Sequence, residues 1–276
     1  MIAFPNAKIN LGLDITDRRP DGYHNLVTVF YPVAWRDILE IVPSASGADT
    51  LNVSGRGCDC PPEKNLVMKA VRTLRSICDI PPVDIYLRKV IPDGAGLGGG
   101  SSDAAFTLRM LRDMYNSGLS DDTLAEVASG IGADCPFFIY NRPMGATGIG
   151  NRLEPIEIPA LRDKWIAVVK PPVSVSTKEA YAAVRPAAPT IDLREIVSRE
   201  PLSRWQGVVK NDFEPSVFPA FPIIAEVKQR LYDLGAVYAS MSGSGASVFA
   251  IFDNDSLSDT LRSEFSGCET FMTKSV

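Results

Sequence analysis

A glycine-rich segment at residues 91–105 carries the strongest chemical signal of this chain, with the sequence IPDGAGLGGGSSDAA. Five glycines fall within the seven residues 94–100, so the backbone can adopt positive φ angles and a ligand can approach without meeting Cβ atoms. Ser101 and Ser102 then open a predicted helix, where unpaired N–H groups and the positive end of the helix dipole favour an anion. The segment therefore predicts a phosphate-binding loop.

The elements on either side of this segment support that interpretation. Val83, Ile85 and Leu87 alternate with polar residues, which is typical of a half-buried strand. Apolar residues then recur at helical spacing from Ala104 to Tyr115, which predicts a helix through residue 116. The order strand, glycine loop and helix makes a simple Gly/Ser linker a poor explanation.

Two other kinds of phosphate loop fit less well. Gly94, Gly96 and Gly99 match the pattern G-x-G-x-x-G of dinucleotide-binding folds, which also need a second parallel strand that ends in an acidic residue about 20 positions later. Asp121 and Asp122 have that spacing, but they open a predicted helix instead. A Walker loop is excluded because no Lys-Ser or Lys-Thr pair follows the glycines.

A few polar residues outside the loop are candidates for chemistry. Asp134 lies in an apolar stretch before a proline, where a carboxylate is either a helix-end cap or loop acceptor, or a buried base. Lys8 lies in an apolar N-terminal strand, and its position does not decide between a solvent-facing and a buried amine. Tyr23 and the single histidine, His24, follow a turn, and a lone histidine is more often structural than a ligand. These residues predict a phosphate-binding protein without naming a reaction.

Composition limits the class of protein and its location. The 276 residues favour two domains, and 28 Lys plus Arg against 33 Asp plus Glu give a net charge of −5. No basic run is present, so we expect no binding to nucleic acid or to a membrane surface. The five scattered cysteines predict reduced thiols, and with no signal segment they indicate a cytoplasmic protein. Cys58 and Cys60 lack partners for a structural zinc site.

The remaining chain mixes strands and helices in an irregular order, which predicts an α+β fold in both halves. We predict helices over 63–78 and 255–265 and a short strand over 137–140. A second small glycine/serine loop, Ser242-Gly243-Ser244-Gly245, lies between two predicted strands.

Five motifs in chain order resemble those of the GHMP small-molecule kinases. They are P-N-A-K-I-N-L-G-L (5–13), R-P-D-G-Y-H (19–24), the loop at 91–105, G-A-D-C-P-F-F (132–138) and M-S-G-S-G (241–245). The resemblance implies a two-domain fold with a ribosomal-S5-like N-terminal domain (1–157), a ferredoxin-like C-terminal domain (158–276) and the active site between them. The Tyr-His pair is similar to that of members whose substrate is a cytidyl diphosphate alcohol of the non-mevalonate isoprenoid route.

The resemblance also implies a reaction, its cofactors and its residues. It implies ATP and Mg²⁺, with transfer of the γ-phosphoryl group to the 2-hydroxyl of an erythritol unit. The matching positions make Lys8 and Asp134 the catalytic pair. The implied ATP-binding residues are Pro92, Asp93, Gly94, Ala95, Gly96, Leu97, Gly98, Gly99, Gly100, Ser101, Ser102, Asn65 and Lys89. The implied residues for the alcohol substrate are Asn10, Tyr23, His24, Thr177 and Tyr181. The metal ligands stay unknown from sequence, with Ser102 a candidate and Asp103 a candidate through water.

Some alternatives stay open at this point. Asn151 follows Gly148-Ile149-Gly150 where the family often has an acidic residue, and Ala246-Ser247 replaces a frequent Pro-Thr pair. A homoserine or mevalonate kinase would share the glycine loop without needing an aromatic residue beside a histidine. A non-enzymatic nucleotide or sugar sensor would share the fold. We expect a monomer or a weak homodimer.

Overall fold

The structure is a computed structural model that describes residues 1–56 and 60–275. Cys58 lies outside the described residues. The strands of the described part are β1 (Ile2–Ala3), β2 (Asn6–Arg18), β3 (His24–Arg36), β4 (Ile38–Pro43), β5 (Thr50–Gly55), β6 (Val83–Lys89), β7 (Met144–Thr147), β8 (Arg152–Pro155), β9 (Trp165–Lys170), β10 (Tyr238–Met241), β11 (Val248–Phe252) and β12 (Glu269–Lys274). The helices are α1 (Leu66–Arg75), α2 (Gly99–Met114), α3 (Asp121–Ser129), α4 (Cys135–Tyr140), α5 (Thr177–Ala183), α6 (Leu193–Arg199), α7 (Glu214–Ala220), α8 (Pro222–Asp233) and α9 (Leu261–Glu264).

The chain forms two compact units, each assembled from several segments. The first unit combines Met1–Ala7, Trp35–Asp93 and Gly98–Arg142, and the second combines Lys8–Ala34, Gly94–Leu97 and Pro143–Val276. The expected domain boundary after residue 157 stays a prediction.

The first unit contains a four-stranded sheet of order β1-β4-β6-β5. Strand β4 pairs antiparallel with β1 and β6, and β5 runs parallel to β6. The alternation predicted for β6 is confirmed, because Val83, Ile85 and Leu87 are buried while Tyr86 and Arg88 are exposed. Helices α1 and α4 both pack against α2, which follows β6 and the glycine loop.

Residues 137–140 form the end of helix α4, so the predicted strand is wrong. Pro136 lies in the first turn of this helix, where its fixed φ and missing N–H are tolerated. All residues from Cys135 to Ile139 are buried, so the segment has no polar face to reveal a helical period. A short, uniformly apolar run gives the same pattern in a buried strand and in a buried helix.

The second unit contains two four-stranded sheets, of order β2-β3-β7-β8 and β10-β11-β9-β12. In the second of these sheets every pairing is antiparallel. Helices α7 and α8 cover it through apolar residues such as Val217, Ile224 and Leu231. The helix predicted over 255–265 is limited to the four residues of α9, and the helix predicted over 63–78 to α1.

Among residues 1–56 and 60–275, every helix is too short or too polar to cross a bilayer.

Candidate active site

The glycine loop has the backbone that its sequence predicts. Gly94, Gly96 and Gly98 have φ angles of +58°, +74° and +70°, a region that residues with a side chain rarely adopt. A Cβ atom at Gly94 would meet nothing within 4 Å, whereas one at Gly96 would lie 2.0 Å from the carbonyl oxygen of Ser242. Glycine is therefore needed at Gly94 for its conformation alone and at Gly96 also for close packing.

Helix α2 begins at the end of this loop and presents its N-terminus there. Gly98 is its N-cap residue, and the first turn contains no acidic side chain. The Ser102 N–H donates to the Gly98 carbonyl at 2.9 Å, so the helix itself provides no acceptor for the N–H groups of residues 99–101. The Ser102 side chain is fully buried, and its hydroxyl has no hydrogen-bond partner within the described chain. This combination suits a phosphate group that is held by main-chain N–H groups.

A buried ion cluster fixes both ends of the glycine segment. The Lys89 amine, 4% exposed, forms ion pairs with Asp37 and, at 2.7 Å, with Asp103 in α2. Asp37 also accepts hydrogen bonds from the backbone N–H groups of Val90 and Ile91. Lys89 thus connects the start of the segment to the helix that follows it.

The buried side chains of this cluster shift one another's pKa values. Burial alone would lower the pKa of Lys89, but the charges of Asp103 and Asp37 outweigh it and raise the pKa above its usual value. Burial also raises the pKa of the Asp103 carboxyl, and the Lys89 ammonium offsets only part of that effect. The Lys89 amine therefore stays a cation that is held by Asp37 and Asp103, and its contact with ATP stays a prediction.

Asn65, the other residue expected on the adenine side, is the N-cap of α1. Its side-chain oxygen accepts a hydrogen bond from the Val67 N–H at 2.9 Å. This contact explains an asparagine at the start of the helix, and a role towards adenine stays a prediction.

The middle of the glycine loop is held by the second unit, to which residues 94–97 belong. The Lys8 N–H donates to the carbonyl of Leu97 at 2.9 Å, which attaches the loop to β2. The Ser242 hydroxyl donates to the carbonyl of Gly96 at 2.9 Å, which attaches it to the second glycine/serine loop. Sequence reasoning singled out the loop at 242–245 but assigned it no role.

The structure answers the question that the sequence left open for Lys8. Its side chain is only 3% exposed, so it does not face solvent. Its amine donates to the Asn10 side chain at 2.7 Å, and Asn10 donates in turn to the Thr28 hydroxyl at 2.9 Å. The ammonium also lies over the ring of Phe30, 5.0 Å from its centroid. Asn10, Thr28 and Phe30 therefore hold the amine in one position.

Asp134 occupies the N-cap position of α4 in the first unit, yet its side chain accepts no capping hydrogen bond there. The structure therefore excludes the helix cap, and the roles of loop acceptor and of base both stay open. Lys8 and Asp134 belong to different units, and their action as a pair stays a prediction.

The aromatic residues expected to hold a base occupy unequal environments in the second unit. Tyr23 is 61% exposed, at the end of a turn in which its N–H donates to Asp21. His24 stacks on Tyr181, with ring centroids 5.1 Å apart and an interplanar angle of 23°. The rings of Tyr181 and Phe213 in turn pack edge to face, with their centroids 4.8 Å apart. The structure thus brings His24 and Tyr181 together, and it adds Phe213, which sequence reasoning missed.

Thr177, the first residue of α5, lies one helical turn before Tyr181. Its hydroxyl is 3.2 Å from the hydroxyl of Ser244 in the second glycine/serine loop. This loop therefore contacts the helix that carries Tyr181 as well as the glycine loop.

Metal ligation by side chains alone finds no support in residues 1–56 and 60–275, which contain no group of three or more His, Cys, Asp or Glu residues able to hold an ion. The buried Ser102 hydroxyl and the Oδ1 atom of Asp103 are both left without hydrogen-bond partners within the described residues. These oxygens suit a magnesium ion that takes most of its ligands from phosphate and water.

Comparison with known proteins identifies similar chains over nearly the full length. Models of the GHMP kinases N terminal domain and of the GHMP kinases C terminal match residues 65–142 and 187–268. A 4-diphosphocytidyl-2-C-methyl-D-erythritol kinase of Parabacteroides distasonis is 54% identical over 253 residues, which cover 92% of each chain. A crystal structure of 4-(cytidine 5'-diphospho)-2C-methyl-D-erythritol kinase is 34% identical, with a TM-score of 0.80 and coverage of 99% and 98%. A homoserine kinase from Cytophaga hutchinsonii has a TM-score of 0.72 at 18% identity, over 98% and 95% of the two chains, and so shares the fold alone.

Proposed function

The chain belongs to the GHMP kinases, and from that premise we propose that it transfers the γ-phosphoryl group of ATP to the 2-hydroxyl of 4-diphosphocytidyl-2-C-methyl-D-erythritol. The predicted small-molecule kinase and its two-domain α+β fold are confirmed. The main support for this substrate is the 54% identity, over 92% of both chains, to a kinase named for this alcohol. The homoserine kinase is similar in fold at 18% identity, which gives that alternative no comparable support.

The N-terminus of α2 is the proposed site for the phosphates of ATP. Phosphoryl transfer passes through a loose transition state, so catalysis depends mainly on positioning and on stabilising charge. The main-chain N–H groups of residues 99–101 are fixed in the helix, so they can stabilise negative charge on the phosphates with little reorganisation. The ion cluster of Lys89 fixes the start of the glycine segment to this helix, so we assign it a positioning role beside ATP.

We propose that Asp134 accepts the proton of the attacking hydroxyl. Carboxylates are common general bases, and Asp134 lies in the motif G-A-D-C-P-F-F that resembles the family's. Lys8 would offset the negative charge that develops near this hydroxyl, and its amine is oriented for that by Asn10. That the two residues serve one hydroxyl rests on the family motifs that contain them.

Mg²⁺ is the proposed metal cofactor. When bound, it neutralises charge on the phosphates and supplies a fixed point for their orientation. The Ser102 hydroxyl is the proposed direct ligand, and Asp103 would act through water, since both have unpartnered oxygens within the described chain.

The cytosine ring is proposed to lie against Tyr23, whose ring is largely exposed and free to stack. His24, which is held by its stacking on Tyr181, would make the hydrogen bonds that distinguish cytosine from uracil. Thr177 lies one turn from Tyr181 and completes this proposed substrate side.

Other expectations remain part of the proposal. We propose a cytoplasmic protein, monomeric or weakly dimeric, which binds neither nucleic acid nor membranes. The net charge of −5 supports the last two points.

An ATP-consumption assay with four alcohols tests the proposed function. We expect turnover with the cytidyl diphosphate alcohol, weaker turnover with its uridyl analogue, and none with homoserine or mevalonate. Product analysis by ³¹P NMR should place the new phosphate on the 2-hydroxyl. Turnover of homoserine or mevalonate instead would favour the alternative kinases, and ATP binding without turnover of any alcohol would favour a sensor.

A further inference from the structure

A four-residue turn, Asn211-Asp212-Phe213-Glu214, connects three parts of the second unit that the proposed function uses. We call residues 211–214 the NDFE turn. The Asp212 carboxylate accepts a hydrogen bond from the Ile15 N–H in β2 at 2.7 Å. The Phe213 ring contacts Tyr181, and the Glu214 carboxylate accepts the Met241 N–H at 2.9 Å. The turn thus joins β2, the aromatic stack and the end of β10, where the second glycine/serine loop begins.

Asn211 makes the most concentrated set of these contacts. Its side chain is 2% exposed, and its amide donates to the carbonyls of Met241 at 2.7 Å and of Gly243 at 2.8 Å. Its side-chain oxygen accepts the Phe213 N–H at 3.0 Å. Both amide hydrogens and the oxygen are therefore used, and each partner is a main-chain group.

The two carbonyls that Asn211 holds flank Ser242. The hydroxyl of Ser242 reaches the carbonyl of Gly96 in the glycine loop at 2.9 Å. Gly96 packs so closely on Ser242 that a Cβ atom would approach its carbonyl oxygen to 2.0 Å. A shift of the second loop by a few tenths of an ångström would therefore be transmitted directly to the glycine loop.

We propose that Asn211 is a positioning residue for ATP binding, because it sets the second glycine/serine loop against which the glycine loop packs. The inference rests on the proposed function only in assigning the glycine loop to ATP. It requires no contact between Asn211 and a substrate.

Direct binding of a non-hydrolysable ATP analogue, measured by calorimetry, tests this role separately from the identity of the alcohol. Asn211→Asp keeps the shape and the acceptor but places a carboxylate against two carbonyls, and Asn211→Ala removes all three bonds. We expect each variant to weaken binding of the analogue about tenfold or more, as for the loss of two hydrogen bonds that order a binding loop. The KM for ATP should rise by a similar factor in the assay with the cytidyl alcohol.

Tyr238→Phe is the matched control. It also removes buried hydrogen bonding in this unit, because the tyrosine hydroxyl donates to the Val209 carbonyl at 3.1 Å and interacts with the Ser240 side chain, both outside the loop at 242–245. We expect a lower melting temperature in this variant with unchanged binding of the analogue.

The outcomes separate the possible failures. Folded Asn211 variants that lose stability like Tyr238→Phe but bind the analogue as wild type does would overturn the inference. If neither Asn211 variant folds, Ser242→Ala replaces them, because it removes the bond between the second loop and Gly96. Unchanged binding of the analogue by Ser242→Ala would also overturn the inference. A wild-type protein that binds the analogue but does not phosphorylate the cytidyl alcohol would contradict the proposed substrate and leave this test intact.

Discussion

Replacement of Gly96 by alanine tests the packing of the glycine loop most directly. Its positive φ alone should cost about 1–2 kcal/mol of unfolding free energy once a Cβ atom is present. The new Cβ would also lie 2.0 Å from the carbonyl oxygen of Ser242, where only a backbone shift can relieve the overlap. Overpacking of this kind costs about 1–3 kcal/mol, so the total loss should be about 2–5 kcal/mol.

Gly118→Ala separates the two contributions. Gly118 has a similar φ of +70°, but a Cβ atom there would meet nothing within 4 Å. We expect it to lose only the conformational part, about 1–2 kcal/mol, and to keep the wild-type KM for ATP. Urea unfolding of both variants should then show Gly96→Ala to be less stable by about 1–3 kcal/mol.

Gly94→Ala adds a readout for the ligand. Its φ is positive and its surroundings are open, so its stability should match that of Gly118→Ala. If a phosphate group of ATP occupies the open space beside Gly94, the new methyl group should still raise the KM for ATP. Equal stability of the Gly96 and Gly118 variants would refute the packing argument, and an unchanged KM in Gly94→Ala would refute the phosphate site.

Three further predictions concern other residues. Asp134→Asn should lower kcat by about 10²- to 10⁴-fold, because an amide cannot accept the proton of the attacking hydroxyl; lost stability with full turnover per folded molecule would indicate a structural role. Tyr23→Ala and His24→Ala should raise the KM for the cytidyl alcohol and not for ATP, by about 5- to 150-fold for the loss of stacking at Tyr23; wild-type kinetics in both would contradict the cytosine site. Burial, together with the charge of Asp212, raises the pKa of Asp14 to about 6, so the folded protein holds this proton more tightly than the unfolded chain does. The stability that this proton contributes should be complete below about pH 4 and lost as the pH rises through about 6. In urea titrations, Asp14→Asn should remove this pH dependence and be more stable than wild type at pH 7. Parallel pH profiles of the two proteins would contradict the prediction.

Local features of the chain were determined by its sequence alone. The glycine spacing predicted a loop with positive φ angles before a helix, because these angles and the helix start depend on neighbouring residues. The side chains of Ser120 and Ser176 cap α3 and α5, and such caps are local because they reach only two or three residues along the chain. The motifs also sufficed to identify the kinase family.

The tertiary structure decided which polar residues are brought together. The bond from Ser242 to Gly96 joins residues 146 positions apart, and the ion pair of Lys89 with Asp37 joins residues 52 positions apart. Neither the burial of Lys8 nor the contacts of Asn211 follow from local pattern, because each depends on partners that the chain supplies from distant segments. The helix at 135–140 was missed for the same reason: burial on all sides, which only packing establishes, removed the periodicity that distinguishes a helix from a strand.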